Sequence, residues 1–478
     1  MNIIIDMVLH TVFVLFLAYY FMSAMQWYSY KLERIVFHYH RYDWHLYFFI
    51  FPLIIYYILN VPYVYALYLL YPVAIFLWAK KLDKKLVFTP RVKRFYLFLI
   101  GLLIFQALLY SQCNVCIKEG VVIPILVAHL VSVAFEAMAF EGYKKSARAK
   151  LHDMSQMKVV AITASYGKTS IKNFLAQILS TSFRVYATPR SVNTLGGIVK
   201  DINESLPKET QIYIVEAGAR AKGDIHEIAS LVDPHIVVVG SIGEQHIEYF
   251  KTLENIRNTK MEILDSKRLE HAFVHHSANV SGNTNITIFG EDIKNLNSSL
   301  QGISFSLVLE GKEVPFKCNL LGSFNAINVA AAIHVAYKLG LSLEHIQMAI
   351  SNLKGVEHRL QKIEAGGKLI IDDSFNGNLE GMLGSYELVS SYEGRKVIIT
   401  PGLVESTPEA NTLLAKTIDA IFDVVIITGK SNMDVLNNNI HKAEKIILHD
   451  KGQLQACLAE KTVSGDLILF SNDAPSFI

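Results

Sequence analysis

The chain has 478 residues, a net charge of only +2 and 18% charged residues, which leaves room for two or three domains and excludes a basic nucleic-acid binder. Its mean hydropathy of +0.30 is high for a soluble enzyme. The excess lies before about residue 150, where Phe, Leu, Ile and Tyr dominate; beyond it charged and apolar residues mix as in an ordinary globular protein. Of the four cysteines, Cys318 and Cys457 offer no disulfide framework to the second half. Cys113 and Cys116 form a lone CxxC, read as loop residues rather than a metal site.

Apolar stretches recur at residues 8–28, 44–59, 63–79, 95–110 and 121–140. A helix crosses a hydrocarbon core of about 30 Å with roughly 20 residues, so these predict an α-helical membrane domain, its two shorter middle segments open to a membrane hairpin. Basic residues crowd alternate loops: Lys31, Arg34 and Arg41; then Lys80, Lys81, Lys84, Lys85, Arg91, Lys93 and Arg94; then Lys144, Lys145, Arg148 and Lys150. The opposite loops hold only Lys118, which predicts five spans in an inner membrane, N-terminus outside and the rest cytoplasmic. Trp27, Tyr28, Trp44 and Trp78 suit interfacial belts. Glu136 and Glu141 fall in or near the last span, where a carboxylate is a functional candidate, and the preferred reading is a Glu either paired within the bundle or snorkelling to the interface.

Residues 159–163 form a buried-strand pattern running into Thr163-Ala164-Ser165-Tyr166-Gly167-Lys168-Thr169-Ser170, and residues 171–180 then read as a helix. This is the layout of a phosphate loop: backbone N–H groups and the helix N-terminus face the anion, Lys168 adds a point charge and Thr169 a hydroxyl for Mg²⁺. The pattern is incomplete, because Ile162 stands five before Gly167. Two further strands end at Glu216 and shortly before His246. Ligands of open α/β sheets sit beyond the carboxyl ends of strands, so both residues are candidate magnesium ligands; a solvent-facing strand end and a helix-start histidine are equally compatible readings.

Several blocks then resemble the Mur ligase family, in particular its D-alanyl-D-alanine-adding branch. Residues 163–170 resemble TG(T/S)xGKT(S/T). Glu216-Ala217-Gly218-Ala219 with Gly223-Asp224-Ile225 resembles E(M/A)GA…GDI. Residues 242–248, 258–262 and 321–328 resemble IGxxHLE, AKxE and GxHNxxN, and His358-Arg359-Leu360-Gln361 and residues 372–378 resemble HRLQ and DDSYNANP. The blocks keep the family's order over residues 157–405. The resemblance implies that Ser165, Gly167, Lys168, Thr169 and Ser170 bind ATP phosphates, that Thr169, Glu216, His246 and Lys260 serve one or two Mg²⁺, with Lys260 carbamylated, and that Lys168, Glu216, His246 and Lys260 are catalytic. It further implies that Asn328 contacts adenine, Arg359 the γ-phosphate and Asp373 the ribose, while Asn193, Thr194, Asn376 and Asn378 face the substrate. Ala164, Phe324 and Leu379 depart from the family's Gly, His and Pro, and Thr400 to Glu405 match only loosely. The membrane segments stand where the family has a soluble uridine-nucleotide domain.

The expected architecture is therefore a helical membrane domain over residues 1–150, a P-loop-like central α/β domain over 151–354 and a Rossmann-like α/β domain over 355–478, hinged near Lys354-Gly355-Val356. The last residues, Asn472-Asp473-Ala474-Pro475, resemble an NDLPD ending. The implied activity is ATP-dependent joining of D-alanyl-D-alanine to a UDP-muramyl tripeptide through an acyl phosphate, with the bilayer and other cell-wall proteins as partners. Two alternatives remain at this point: a Mur-like ligase with a lipid-linked or non-peptidoglycan acceptor, and a non-catalytic membrane scaffold that binds nucleotide.

Overall fold

The computed structural model describes residues 3–472, apart from 29, 31, 33–34, 36–41, 60–62, 83, 114–119, 191, 246, 376, 405 and 430. The chain divides into two compact units, Met1–Gly142 and Tyr143–Ile478.

The first unit is helical. Helices run over Ile3–Trp27, Val64–Lys80, Pro90–Cys113 and Val122–Asp153, and Tyr42–His45 continues through a π-helical turn, Leu46–Ile50, into Phe51–Ile58. Among the described residues three helices are long and apolar enough to cross a membrane: Ile4–Trp27, Pro90–Leu109 and Val122–Asp153. The segments expected at 44–59 and 63–79 form shorter helices, the second having 17 residues. Phe13, Val14, Leu17 and Tyr20 are buried in the bundle, whereas Leu69, Leu70, Leu97, Leu130 and Met138 are each at least 65% exposed. Trp27, Trp44 and Trp78 pack on one another with ring centroids 5.6–6.1 Å apart. Glu136 is paired with Arg94, whose guanidinium lies over the Phe135 ring. The expected boundary at residue 150 falls inside the helix Val122–Asp153. Cys116 and Lys118 lie outside the described residues.

The second unit opens with β1 (Lys158–Thr163), β2 (Val185–Ala187), β3 (Ile212–Glu216), β4 (Ile236–Val239), β5 (His271–His275) and β6 (Ile286–Phe289). They form one parallel sheet in the order β2-β3-β1-β4-β5-β6. The order reverses at β1, so the loops after β1, β3 and β4 meet at a switch-point crevice. Helices Lys168–Leu179 and Phe324–Lys338 cover this sheet, sharing one core through Ile171, Phe174, Leu175, Ala330 and Ile333. An antiparallel meander not foreseen from the sequence follows: β7 (Ile293–Ser299), β8 (Gly302–Leu309) and β9 (Lys312–Cys318).

A second six-stranded sheet comprises β10 (Gln361–Ala365), β11 (Lys368–Asp373), β12 (Lys396–Thr400), β13 (Val424–Thr428), β14 (Glu444–Leu448) and β15 (Leu467–Ser471), ordered β10-β11-β15-β12-β13-β14. All its pairs are parallel except the β10–β11 hairpin. Leu300, Leu321 and the ring of Phe324 join Leu360, Ile371 and Met382 in its core, so Phe324 has an apolar role in place of a polar one. Lys354, at the expected hinge, is held by Gln177 on both sides: its N–H donates to Gln177 Oε1 at 2.9 Å and its carbonyl accepts from Gln177 Nε2 at 3.0 Å.

Candidate active site

The loop after β1 turns into the helix Lys168–Leu179 at Gly167, whose φ of +82° is open to glycine and strained for other residues. A Cβ at Gly167 would also lie 2.3 Å from Asn328 Oδ1, so the helix Phe324–Lys338 presents Asn328 directly over the loop. Asn325 steadies that amide, accepting from Asn328 Nδ2 at 3.1 Å. The loop is pinned from the other side by the segment after β4: Ser165 N–H donates to Ser241 O at 2.8 Å, and Ser165 Oγ donates to Gly243 O at 3.0 Å. Ala164 is accommodated without positive φ. Its methyl fits because residue 240 is glycine; a Cβ there would lie 2.9 Å from Ala164 Cβ.

Lys168 Nζ donates to Ala164 O at 2.7 Å, Ser165 O at 3.0 Å and Gln245 Oε1 at 3.2 Å. Its ammonium is pushed down to about 7, first by desolvation and then by the like charges of Lys260 and Arg359, with Glu216 opposing. Lys260 is buried, and desolvation lowers it to about 8 against the pull of Asp224 and Glu262. The Glu262 carboxylate accepts from Gly223 N at 2.9 Å and His226 N at 3.2 Å, tying the Lys260 segment to the start of the helix Asp224–Val232.

Glu216, at the end of β3, is buried. Its Oε1 accepts from Thr169 Oγ1 at 3.2 Å and Asn193 Nδ2 at 3.1 Å. Its Oε2 lies 3.0 Å from Lys172 Nζ, in charge contact but off the hydrogen-bond direction. The side chains of Thr169 and Glu216 therefore meet, as the sequence implied. Both are hard oxygen donors of the kind Mg²⁺ takes, and they meet beside the phosphate loop with Glu216 Oε1 facing only neutral donors, so the residues fit the ion. His246 lies outside the described residues, and among those described no three His, Cys, Asp or Glu side chains gather as a metal cluster. Ser170 is buried in the first turn of the helix.

Arg359 arrives from the second sheet on a strained segment. Its neighbours His358 and Leu360 have φ of +61° and +52°. Leu360 packs against Gly322, where a Cβ would come within 2.7 Å of it. His358 Nδ1 is 2.7 Å from Asp372 Oδ2, whose partner oxygen accepts from the N–H and hydroxyl of Ser374. The Arg359 guanidinium sits 4.9 Å over the Phe375 ring, and Phe375 N–H donates to His358 O at 3.1 Å. Burial lowers Arg359, which Glu216 and Asp373 oppose. Asp373 is pushed up to about 7, mainly by desolvation, with the Leu360 backbone and Arg359 pulling down. Lys168 thus lies in the field of Lys260, Glu216 and Arg359, and Arg359 in that of Glu216 and Asp373.

Three expected substrate contacts have other work or no description. Thr194 Oγ1 caps the helix Leu195–Glu204, accepting from Gly197 N at 3.3 Å. Asn378 Oδ1 caps Leu379–Ser390, accepting from Gly381 N at 2.9 Å. Asn376 lies outside the described residues. Among the described residues of the set, Asn193 touches the charged centre, donating to Glu216 Oε1. Asn472 joins three loops, its N–H donating to Asp373 O, its Nδ2 to Gly402 O and its Oδ1 accepting from Gly377 N, while residues 473–475 lie outside the described residues. Sequence reasoning missed Lys172, Gln245, His358 and Asp372. Gln245, His358 and Asp372 lay inside the quoted motif blocks without a role being drawn for them, and Lys172 had a signal of its own, a lysine one turn after Lys168 on the helix's apolar face.

A glycine–lysine–threonine loop thus sits at the switch point of a parallel sheet and is approached by an arginine from a second α/β sheet; residues 162–336 match the model of the Mur ligase middle domain. It is 27% identical over 345 residues to the UDP-N-acetylmuramoyl-tripeptide–D-alanyl-D-alanine ligase of Bacillus subtilis strain 168, covering 68% of this chain and 74% of that protein. The enzyme of the same name from Escherichia coli K12 is 26% identical, over 66% of this chain and 75% of the relative. The crystal structure of MurF ligase from Thermotoga maritima in complex with ADP shares the fold, with a TM-score of 0.60 at 24% identity over 70% of this chain and 80% of that one.

Proposed function

We propose that this protein is an ATP-dependent ligase that joins D-alanyl-D-alanine to a UDP-muramyl tripeptide in peptidoglycan precursor synthesis, anchored in the inner membrane by its helical unit. The observation that carries the reading is the placement of Lys168 at the glycine turn after β1, in the field of Lys260, Glu216 and Arg359. Desolvated cations beside a helix N-terminus suit a polyphosphate, and the relatives named for this reaction supply the substrates.

The tripeptide's terminal carboxylate attacks the γ-phosphorus of ATP, the bond to the bridging oxygen breaks and ADP leaves. The amine of D-alanyl-D-alanine then attacks the acyl-phosphate carbon, and inorganic phosphate leaves. Lys168 and Arg359 offset negative charge on the transferring phosphoryl oxygens. Gly167 and the helix behind it give the phosphates their backbone N–H donors. Asn328, which borders the loop at Gly167, would contact the base, and Asp373 would contact the ribose. Thr169 and Glu216, with His246, would hold Mg²⁺, which when bound supplies further positive charge for phosphoryl transfer. A buried Lys260 lowered to about 8 keeps a neutral amine fraction, the form that carbamylation requires.

The membrane reading rests on three helices of spanning length and on the outward apolar side chains of the helical unit. Resistance of the full chain to alkaline extraction from membranes tests it. For the activity, phosphate release is measured with detergent-solubilised protein given UDP-muramyl tripeptide and D-alanyl-D-alanine singly and together. Release only with both supports the proposal. Nucleotide binding without release points to a lipid-linked or non-peptidoglycan acceptor.

A further inference from the structure

Lys172 is a fully buried lysine that the phosphate-loop pattern does not include. It stands one turn beyond Lys168, between Ile171 and Phe174 on the helix face that enters the core, and is 2% exposed. A lysine carried there needs compensation, because an unpaired buried ammonium is strongly disfavoured. Its partner is Glu216, itself 1% exposed, whose Oε2 lies 3.0 Å from Lys172 Nζ. Lys172 Nζ also donates to the carbonyl of Arg190. Arg190 has a φ of +40°, a left-handed conformation uncommon outside glycine and asparagine. Its carbonyl faces Lys172, and three residues on Asn193 reaches the other oxygen of Glu216.

Glu216 is therefore held at both oxygens by different kinds of group. Oε1 faces neutral donors, the Thr169 hydroxyl and the Asn193 amide, while Oε2 faces a full positive charge. A neutral donor is readily exchanged for a cation; an ammonium in a buried ion pair is not. We infer that Lys172 is a positioning residue that fixes Oε2 of Glu216, leaves Oε1 beside Thr169 as the oxygen offered to a divalent cation, and weakens the site for free metal so that the cation is held well only together with nucleotide phosphates. The inference rests on the assignment of Glu216 as a metal-holding carboxylate. It also explains how so buried a carboxylate keeps its place before any metal arrives.

The test is Mn²⁺ binding to the full-length protein in detergent, followed by electron paramagnetic resonance without and with ADP, with kcat measured in parallel. Wild type should bind free Mn²⁺ weakly and gain affinity with ADP, and Glu216→Gln should abolish both. If Glu216→Gln leaves Mn²⁺ binding intact, the metal assignment itself fails and the inference falls with it. Lys172→Met removes a unit charge close to the carboxylate, so free Mn²⁺ should bind at least ~10-fold more tightly while kcat falls and the gain from ADP shrinks. A merely structural lysine would give weaker or unchanged Mn²⁺ binding as kcat falls, which would overturn the inference. Lys172→Arg keeps the charge and should keep wild-type Mn²⁺ affinity. Should Lys172→Met not fold, Lys172→Arg decides: tighter free Mn²⁺ binding in that folded variant would overturn the inference equally.

Discussion

In the helical unit Leu69, Leu70, Leu97, Leu130 and Met138 point outward, whereas in the α/β unit Ile162, Phe174, Ile178 and Leu469 are fully enclosed. Charges follow the reverse rule. Glu136 of the helical unit is partly open to its surroundings beside Arg94, while Glu216 and Lys172 are sealed inside the α/β unit. One chain thus carries two solutions to burial. The first spends its apolar surface outward, which suits hydrocarbon, and the second concentrates desolvated charge where strands end, which suits a phosphate. Hydrophobicity alone does not say which solution a segment adopts; the direction in which its side chains face does.

The largest expected effect probes the inward charge. Lys168→Met should reduce phosphate release by ~10³-fold, because it removes a preorganised cation from the phosphoryl path; a loss under tenfold would separate the charge cluster from catalysis. Leu130→Lys probes the outward face. A lysine at the centre of a spanning helix costs about 3 kcal/mol, so the protein should leave the membrane fraction or fail to insert. Unchanged alkaline-resistant membrane association would place that face away from lipid.

Gly240→Ala is expected to raise the half-saturating ATP concentration by ~10-fold, since overpacking against a rigid neighbour costs about 1–3 kcal/mol. The added methyl would lie 2.9 Å from Ala164 Cβ and 3.1 Å from Ile171 Cδ1. Ala164→Gly in the same chain should restore most of the loss. If it does not, the loop does not depend on this complementarity.

The buried charges also predict opposite limbs of a pH–stability profile without nucleotide. Folding lowers Lys168 from 10.5 to about 7, so between those values the unfolded state binds more protons and stability rises with pH. Folding raises Asp373 from 3.8 to about 7, so there the folded state binds more protons and stability falls as pH rises. Thermal unfolding of Lys168→Met and Asp373→Asn should flatten the upper and lower limbs respectively. The smallest effect belongs to Thr194→Ala, which should cost about 1 kcal/mol of stability through a lost helix cap, with a muramyl-peptide KM within threefold of wild type. A tenfold rise in KM would instead give Thr194 a direct substrate contact.

Much of the second unit was legible because its signals are local. The strands at 158–163, 212–216 and 396–400 are short apolar runs, and Gly167-Lys168-Thr169 sits between a strand and a helix. The β7–β9 meander was not legible, since Ile293–Ser299 is mostly polar and is ordered by pairing with β8 rather than by its own pattern. Asp372 and Asp373 show the same limit at one residue's resolution. Successive strand residues face opposite sides, so one carboxylate enters the crevice near Arg359 while the other is buried against His358 and Ser374. Adjacent identical letters give no hint of which is which.

By itself the sequence determined the helical first unit, the phosphate loop and the residues that gather at it, because helix-length apolar runs and strand–loop–helix order are properties of neighbours along the chain. Only the tertiary structure decided that Lys172 balances Glu216, that Gly240 makes room for Ala164, that Thr194 and Asn378 cap helices, and that Arg359 is delivered by a strained, Asp372-anchored turn. Those pairings span from 3 to 76 residues of sequence; the caps depend on the path by which the chain enters each helix, and the longer pairings on packing within a single sheet and the helices and loops beside it.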